Sequence, residues 1–204
     1  MPDPIATLTA SFQPTGDIAH DAPAFLALHG MDKAGHSAAV AAEARRLALR
    51  FGADPAQAEA AGWLHDISGV WPTPERARIA RALGVEVLPE EDAFPLILHQ
   101  KLSVVVAQRV FGVADEAVLS AIGCHTTLRR GATLLDKVVF LADKIAWDQA
   151  GAPPYGDAVL AALELSLDAA VFAFLDWQWQ RREQLGVVHP WLVAAREELA
   201  AGCE

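Results

Sequence analysis

The sequence predicts an all-α fold, a single-domain helical bundle, on three observations. Helix start and stop signals recur along the whole chain, whereas strand signals do not. The 204 residues, of which 53% are hydrophobic, suffice for one sizeable core. No internal repeat and no low-complexity segment interrupts this pattern.

The first two strong helix predictions adjoin each other. From residue 36 to residue 51, apolar side chains recur at the 3.6-residue spacing of a helix, and Gly52 ends it. The next helix begins at Asp54, a capping residue, and carries Pro55 in its first turn, where proline is tolerated. Gly69 and a following proline end this second helix just beyond a histidine–aspartate pair.

Three further helices are predicted in the middle of the chain. One starts at Thr73 and stops at Gly84. Another begins at or just before Pro95, because proline does not fit inside a helix. A short helix is capped by Asp115 and ends near Gly123.

The C-terminal third contains the clearest loop. Before it, Thr133 and Asp136 resemble a capping box at the start of a helix. The loop itself, residues 151–156, reads GAPPYG, and Asp157 then caps a long helix that we expect to reach about Leu185. A last helix opens with a proline at position 190.

For domain organisation, we expect residues 1–20 to form a poorly ordered N-terminal arm and residues 21–204 to form the domain. The N-terminal stretch lacks the basic start and apolar centre of a secretory signal, so we expect a cytoplasmic protein. Cys124 and Cys203 fit a reducing compartment better than a disulfide framework. No apolar run approaches the ~20 residues that cross a bilayer, so a membrane partner is not expected.

The charge of the chain restricts its partners. A net charge of −10 argues against binding to nucleic acid, which requires a basic surface that displaces counterions. A small anionic ligand remains compatible with an acidic chain if positive charge is concentrated locally. A bound metal ion is the most compact source of such charge.

Six metal-ligand side chains stand where the helical pattern expects core or helix ends. A carboxylate within an apolar helix is costly unless it is paired, and metal coordination offsets that cost. Adjacent side chains in mid-helix diverge by roughly 100°, so a His-Asp pair can converge on one point only at a helix end. The six residues are His36, His65, Asp66, His99, His125 and Asp143.

The order of these residues resembles the H…HD…H…H…D pattern of the HD-domain metal-dependent phosphohydrolases. The flanking stretches HSAAVAAEARRLALRFGADPAQAEAAGWLHD and LSAIGCHTTLRRGATLLDKVVFLADKI are similar to the YqeK-type branch, the symmetrical diadenosine tetraphosphate hydrolases. The resemblance runs from about residue 33 to the VVHPWLVAA stretch near the C-terminus. It implies an HD-type helical bundle that holds two divalent or mixed-valence metal ions, usually iron, with manganese, zinc and magnesium as alternatives.

The resemblance also implies a division of the ligands. One metal takes His36, His65, Asp66 and Asp143, and the other takes His99 and His125, with Asp66 bridging the two. His65 and Asp66 are then the catalytic pair, since one helix end serves both metals. The implied reaction is attack of a metal-bridged water on a nucleotide phosphoanhydride, best matched by symmetrical cleavage of diadenosine tetraphosphate into two ADP.

Basic and hydroxyl side chains near the ligand segments are candidates for phosphate contacts. Trp147 or Tyr155 are candidates for stacking on a base. The aromatic-rich segment 170–180 suggests either a homodimer interface or burial under the N-terminal arm. The phosphate-contact candidates are Lys33, Lys101, Thr126, Thr127, Arg129, Lys137 and Lys144.

Two departures from the family pattern leave the substrate open. Many members have a lysine shortly after the HD pair and a DYIEPxR-like sequence at the last aspartate, whereas this chain has HDISGVWP and DKIAWDQAGAPPYG. The alternatives are therefore a hydrolase of another nucleoside di- or triphosphate, or a nucleotide-sensing module with structural metals. The exact nucleotide and the native metal are not determined by the sequence.

Overall fold

A computed structural model describes residues 3–10 and 12–202, and within these ranges it contains helices, turns and loops but no strand. The all-α prediction is confirmed. Short 3-10 turns at Ile67–Val70, Thr73–Glu75, Pro95–Leu98 and Arg182–Gln184 join some of the helices. The α-helices are α1 (Pro4–Thr9), α2 (Ile18–Leu28), α3 (Ala34–Phe51), α4 (Pro55–Leu64), α5 (Arg76–Ala82), α6 (Pro89–Ala93), α7 (His99–Arg109), α8 (Glu116–Cys124), α9 (Leu134–Ile145), α10 (Gly156–Leu163), α11 (Leu167–Gln180) and α12 (Pro190–Ala201).

The core lies where α3, α4, α7, α8 and α9 pack on one another. Helices α3 and α4 approach most closely at Gly62, because a Cβ atom there would stand 2.6 Å from the Cα atom of Ala41. Fully buried side chains such as Leu47, Leu64 and Phe140 fill the interior. This packing brings the C-terminal ends of α4, α8 and α9 towards the N-terminal ends of α3 and α7.

Capping residues determine where several of these helices begin. The Asp54 carboxylate accepts hydrogen bonds from the backbone N–H groups of the first turn of α4, and Asp115 does the same for α8. Thr133 and Asp136 form the predicted capping box of α9. These three helix starts are confirmed as predicted from the sequence.

The long helix predicted from Asp157 to Leu185 is wrong. The chain forms α10, turns at Glu164 and Leu165, and starts α11 after Ser166, whose hydroxyl accepts a hydrogen bond from a backbone N–H of the first turn. No glycine or proline marks this break. Asp157 lies in the first turn of α10 rather than at its cap.

The N-terminal residues pack on the bundle. The side chains of Ile5, Leu8 and Phe12 are buried, and the Phe12 ring lies 5.1 Å from that of Phe25. Because α2 begins at Ile18, the expected boundary at residue 20 falls within a helix. The division into an arm and a domain stays a prediction.

Three other expectations concern a homodimer surface, the cysteines and the membrane. Segment 170–180 lies in α11, which packs against α9, α10 and α12, and a homodimer through it stays a prediction. Cys124 is buried and free, whereas Cys203 lies outside the described residues. Among the residues described, no helix combines the length and apolarity needed to cross a membrane.

Candidate metal centre

Two groups of potential metal ligands share one residue. His36, His65 and Asp66 form the first group, and Asp66, His99 and His125 form the second. Within each group, one ligand atom from every member lies within 4.8 Å of the others. Asp66 therefore stands where the two groups meet.

The first group also includes Asp143. The Nε2 atoms of His36 and His65 are 3.3 Å apart. The Oδ1 atom of Asp143 lies 3.2 Å from the first of these nitrogens and 3.5 Å from the second. Three donor atoms thus surround one point, a geometry suited to a single cation.

The two oxygens of Asp66 face different groups. Its Oδ1 atom lies 3.3 Å from Nε2 of His99 and 3.6 Å from Nε2 of His125, and these two nitrogens are 3.0 Å apart. Its Oδ2 atom lies 3.7 Å from Nε2 of His65. The Asp66 carboxylate therefore lies between the two ligand groups.

Helix ends explain how adjacent residues reach one centre. His65 follows the last residue of α4, and Asp66 leaves helical geometry with φ −103° and ψ 12° before a 3-10 turn. His125 likewise follows the last residue of α8, and His99 opens α7. Because the chain changes direction at these points, the side chains converge rather than diverge around a helix.

Hydrogen bonds from the ring to the backbone orient three of the histidines. His65, His99 and His125 each place Nδ1 at 2.7, 2.5 and 2.8 Å, respectively, from the backbone carbonyl three residues earlier. A carbonyl oxygen only accepts, so Nδ1 carries a proton, and Nε2 is the nitrogen that faces the centre and is left to bind a metal ion. This is the arrangement that metal-binding histidines require.

The charges of the centre also suit a cation. Burial opposes ionisation of Asp66 and Asp143, but the surrounding histidines, and Lys144 beside Asp143, hold both pKa values well below the usual range. Burial lowers the pKa of His99 to about 4, so this ring is neutral. Burial also acts to lower the pKa of His65, but the two carboxylates outweigh it and raise that pKa to about 9. The centre attracts positive charge strongly, and imidazole with carboxylate suits iron, manganese or zinc.

His36 differs from the other three histidines because its buried Nδ1 atom has no hydrogen-bond partner. The nearest carboxylate is Asp148, whose Oδ2 atom is 4.0 Å away and is held by Lys33 Nζ at 2.7 Å. The carbonyl three residues before His36 already accepts from the Ser37 N–H. Asp148 is therefore the candidate group for orienting His36, and no pattern in the sequence indicated it.

Replacing Asp148 by alanine is expected to weaken metal binding to the His36 group by about tenfold or more, the usual effect of losing an outer contact of a ligand. Calorimetric titration of the metal-free protein with Mn²⁺ measures this effect. Asp168→Ala is the matched control, because Asp168 pairs with Lys137 at 2.8 Å in the same manner but away from the centre. Equal affinities in all three proteins would contradict the role of Asp148.

A cleft of about 360 Å³ opens beside the first ligand group. His36, Asp66 and Asp143 form its inner wall, and three of the expected phosphate contacts, Lys33, Thr126 and Lys144, also line it. Its remaining wall is rich in aromatic side chains and includes Trp147, Tyr155, Phe174 and Trp177. The cleft therefore combines potential metal ligands, positive charge and aromatic surface.

Not every candidate phosphate contact reaches this cleft. Lys101 Nζ lies 2.8 Å from the Glu91 carboxylate, and Lys137 is paired with Asp168. Arg129 donates to the Ser120 hydroxyl and lies 3.5 Å from Asp136. None of these three basic side chains lines the cleft. Each has an acidic partner elsewhere in the fold.

Thr127 and Tyr155 are also engaged internally. Thr127 is buried, and its hydroxyl accepts from the side-chain amide of Gln100 at 3.0 Å. The side-chain oxygen of Gln100 accepts in turn from the backbone N–H of Thr126, so the side-chain amide of Gln100 holds the turn after His125. The Tyr155 ring is buried edge-on against Trp147, and its hydroxyl donates to a backbone carbonyl. Of the two stacking candidates, Trp147 is the more exposed.

Replacing Lys101 by methionine is expected to lower the free energy of unfolding by about 3 kcal/mol, because the fully buried Glu91 loses its cation. Urea denaturation measures this change. The KM for the nucleotide substrate should stay unchanged, since Lys101 does not line the cleft. A raised KM with unchanged stability would instead indicate a phosphate contact.

A helical bundle with histidine and aspartate ligands at converging helix ends defines a class of metal-dependent hydrolases. Residues 34–148 match the HD domain family, and the chain belongs to it. The matched range includes all six potential ligands. The chain is thus a metal-dependent phosphohydrolase of the HD superfamily, and the recognition made from the sequence is confirmed.

Two curated proteins and one crystal structure illustrate what the chain is similar to. An uncharacterized protein in the pepC 5'region of Lactococcus lactis subsp. cremoris is 46% identical over 143 residues, 70% of this chain and 72% of the relative. A symmetrical bis(5'-nucleosyl)-tetraphosphatase of Bacillus subtilis (strain 168) is 37% identical over 138 residues, 67% of this chain and 72% of the relative. The crystal structure of a predicted HD superfamily hydrolase involved in NAD metabolism from Clostridium acetobutylicum superposes with a TM-score of 0.80 at 27% identity, covering 94% of this chain and 100% of the other.

Proposed function

We propose that this phosphohydrolase cleaves diadenosine tetraphosphate at its central phosphoanhydride bond and releases two ADP. The observation that carries the proposal is the position of Asp66, which faces two ligand groups and lines the cleft at the same time. A reaction centre between two cations suits in-line displacement at phosphorus. The name of the Bacillus subtilis relative supports the symmetrical reaction.

The proposed ligands follow the two groups described above. His36, His65 and Asp143 would hold one cation, His99 and His125 would hold the other, and Asp66 would serve both. The chemistry supplied by a bound metal pair is activation of a water molecule and neutralisation of phosphate charge. We propose iron as the native metal, with manganese, zinc and magnesium as alternatives.

The basic and hydroxyl side chains of the cleft bind and orient the phosphates. Lys33 is more accessible than Lys144, since 39% of its side chain is exposed compared with 12%. Its ammonium group can leave the Asp148 carboxylate and pair with an outer phosphate of the substrate instead. Lys144 is fixed between the Asp143 carboxylate and the His125 carbonyl, which keeps positive charge close to the centre. Thr126, whose hydroxyl lies 2.9 Å from His99 Nε2, adds a hydroxyl donor beside the second group. A cytoplasmic location and a homodimer stay predictions.

Product analysis by chromatography tests the proposal. The purified protein, loaded with iron or manganese, is incubated with diadenosine tetraphosphate and separately with GTP, GDP and dGDP. ADP as sole product from the dinucleotide is the expected result. ATP together with AMP would contradict symmetrical cleavage.

Two other outcomes correspond to the alternative functions. If the dinucleotide survives while a mononucleotide is consumed, the metal chemistry stands and the proposed substrate is wrong. If no nucleotide is consumed although metal analysis confirms a loaded protein, a nucleotide-sensing role replaces the catalytic one. The first outcome is read from the chromatograms of the separate incubations, and the second requires the metal analysis as well.

A further inference from the structure

A second cavity, of about 170 Å³, lies beside the second ligand group. His99, from the second ligand group, forms part of its wall, whereas the cleft is walled by ligands of the first group. Thr126 and Gln178 line both spaces. The two cavities therefore adjoin different ligands of the centre and share two polar side chains.

The wall of the second cavity is mainly apolar. Ile97, Leu185, Val187 and Leu192 contribute to it, and the polar residues that line it are His99, Thr126, Thr127, Gln178 and His189. An apolar cavity with a few converging polar groups is the usual form of a small-molecule site. The expected ligand is one that has a large uncharged face and a limited number of hydrogen-bonding atoms.

The mouth of this cavity exposes apolar surface to solvent. Phe94 is 36% exposed and Leu96 is 45% exposed, and both line the cavity. The backbone at Gly186 passes directly against the Phe94 ring, because a Cβ atom there would stand 2.8 Å from it. An aromatic ring and an aliphatic side chain at a cavity mouth offer a surface on which a flat base can stack.

We propose that the second cavity binds one nucleoside of a dinucleoside polyphosphate while the cleft binds the other. This inference rests on the proposed function and adds the place of the second nucleoside. Asp66 lines the cleft, and His99, 3.3 Å from it, lines the second cavity. A phosphate chain that runs from Asp66 to His99 therefore leads from one space to the other, and a substrate with two nucleosides fills both. A mononucleotide has only one nucleoside and leaves one space empty.

Product binding tests this inference independently of turnover. Calorimetric titration of the Mn²⁺-loaded protein with ADP is expected to give two ADP per chain. Leu96→Trp and Val187→Trp narrow the second cavity, and each should reduce the count to one. Leu28→Trp is the matched control, because Leu28 is 50% exposed and lines neither cavity, and it should keep two.

Kinetics give a second readout. The KM for diadenosine tetraphosphate should rise by about tenfold in both cavity variants, the order expected when contact with one base is lost. One ADP per chain in the unmodified protein, or two in both cavity variants, overturns the inference. Cleavage of the dinucleotide combined with one bound ADP would refute the second site but not the proposed function, and two bound ADP without cleavage would do the reverse.

Discussion

Replacement of Asp66 by alanine is expected to lower turnover by at least about 10²–10³-fold, the effect of removing one group that stabilises a transition state. The reason is that its two oxygens face both ligand groups, so one substitution weakens two cation sites at once. Steady-state kinetics at saturating Mn²⁺ and metal analysis of the dialysed protein measure the two effects. Metal content should fall together with activity.

Asp66→Asn is the companion variant because it keeps the shape of the side chain and removes its charge. It should retain the fold and lose activity nearly as strongly. Asp168→Ala, outside the centre, should leave both turnover and metal content unchanged. Unchanged turnover in either Asp66 variant would exclude this residue from the reaction.

Replacement of Gly62 by alanine is expected to lower the free energy of unfolding by about 3 kcal/mol, at the upper end of the usual cost of overpacking. The added Cβ atom would stand 2.6 and 2.8 Å from the backbone Cα and N atoms of Ala41, and a backbone cannot rotate away as a side chain can. Helices α3 and α4 must therefore separate. Urea denaturation followed by circular dichroism measures the loss.

The same substitution should also weaken the metal centre. The Gly62 carbonyl lies 2.7 Å from Nδ1 of His65, and His36 is carried by the helix that would be displaced. Gly35→Ala is the control, since it lies in the same helix as His36 and its Cβ atom would meet nothing within 4 Å. If Gly62→Ala unfolds at the same urea concentration as Gly35→Ala, the close approach of α3 and α4 is not as described.

The sequence indicated the six candidate ligands because each of them stands where helical periodicity expects an apolar residue or where a helix begins or ends. Asp143 is the clearest case, since it follows four apolar residues in α9. Stop signals after the His65-Asp66 pair likewise indicated that two adjacent side chains can converge. The structure brings all six residues into the two groups described above.

The candidate phosphate contacts were less predictable because closeness in sequence does not determine direction. Lys101 lies two residues after His99, which places it roughly 200° around α7 from the ligand. Arg129 follows Leu128, whose φ of 53° turns the chain away from the direction of α8. Their acidic partners come from distant segments that helical patterns do not connect.

The missed features share the same cause. The break after α10 has only Ser166 as a signal, and Glu and Leu before it favour helix. Asp148 lies in a loop, where no periodicity predicts which side chain it will approach. Contacts made by loops depend on tertiary packing and are not encoded in a local pattern.

Anomalous X-ray diffraction from crystals of the Mn²⁺-loaded protein shows whether Asp66 joins two cation sites. Two anomalous peaks are expected, one beside His36, His65 and Asp143 and the other beside His99 and His125. The peaks should lie about 3.5–4 Å apart, the usual spacing of two-metal centres, with the Asp66 carboxylate between them. A single peak, or a second peak without contact to Asp66, would contradict the account.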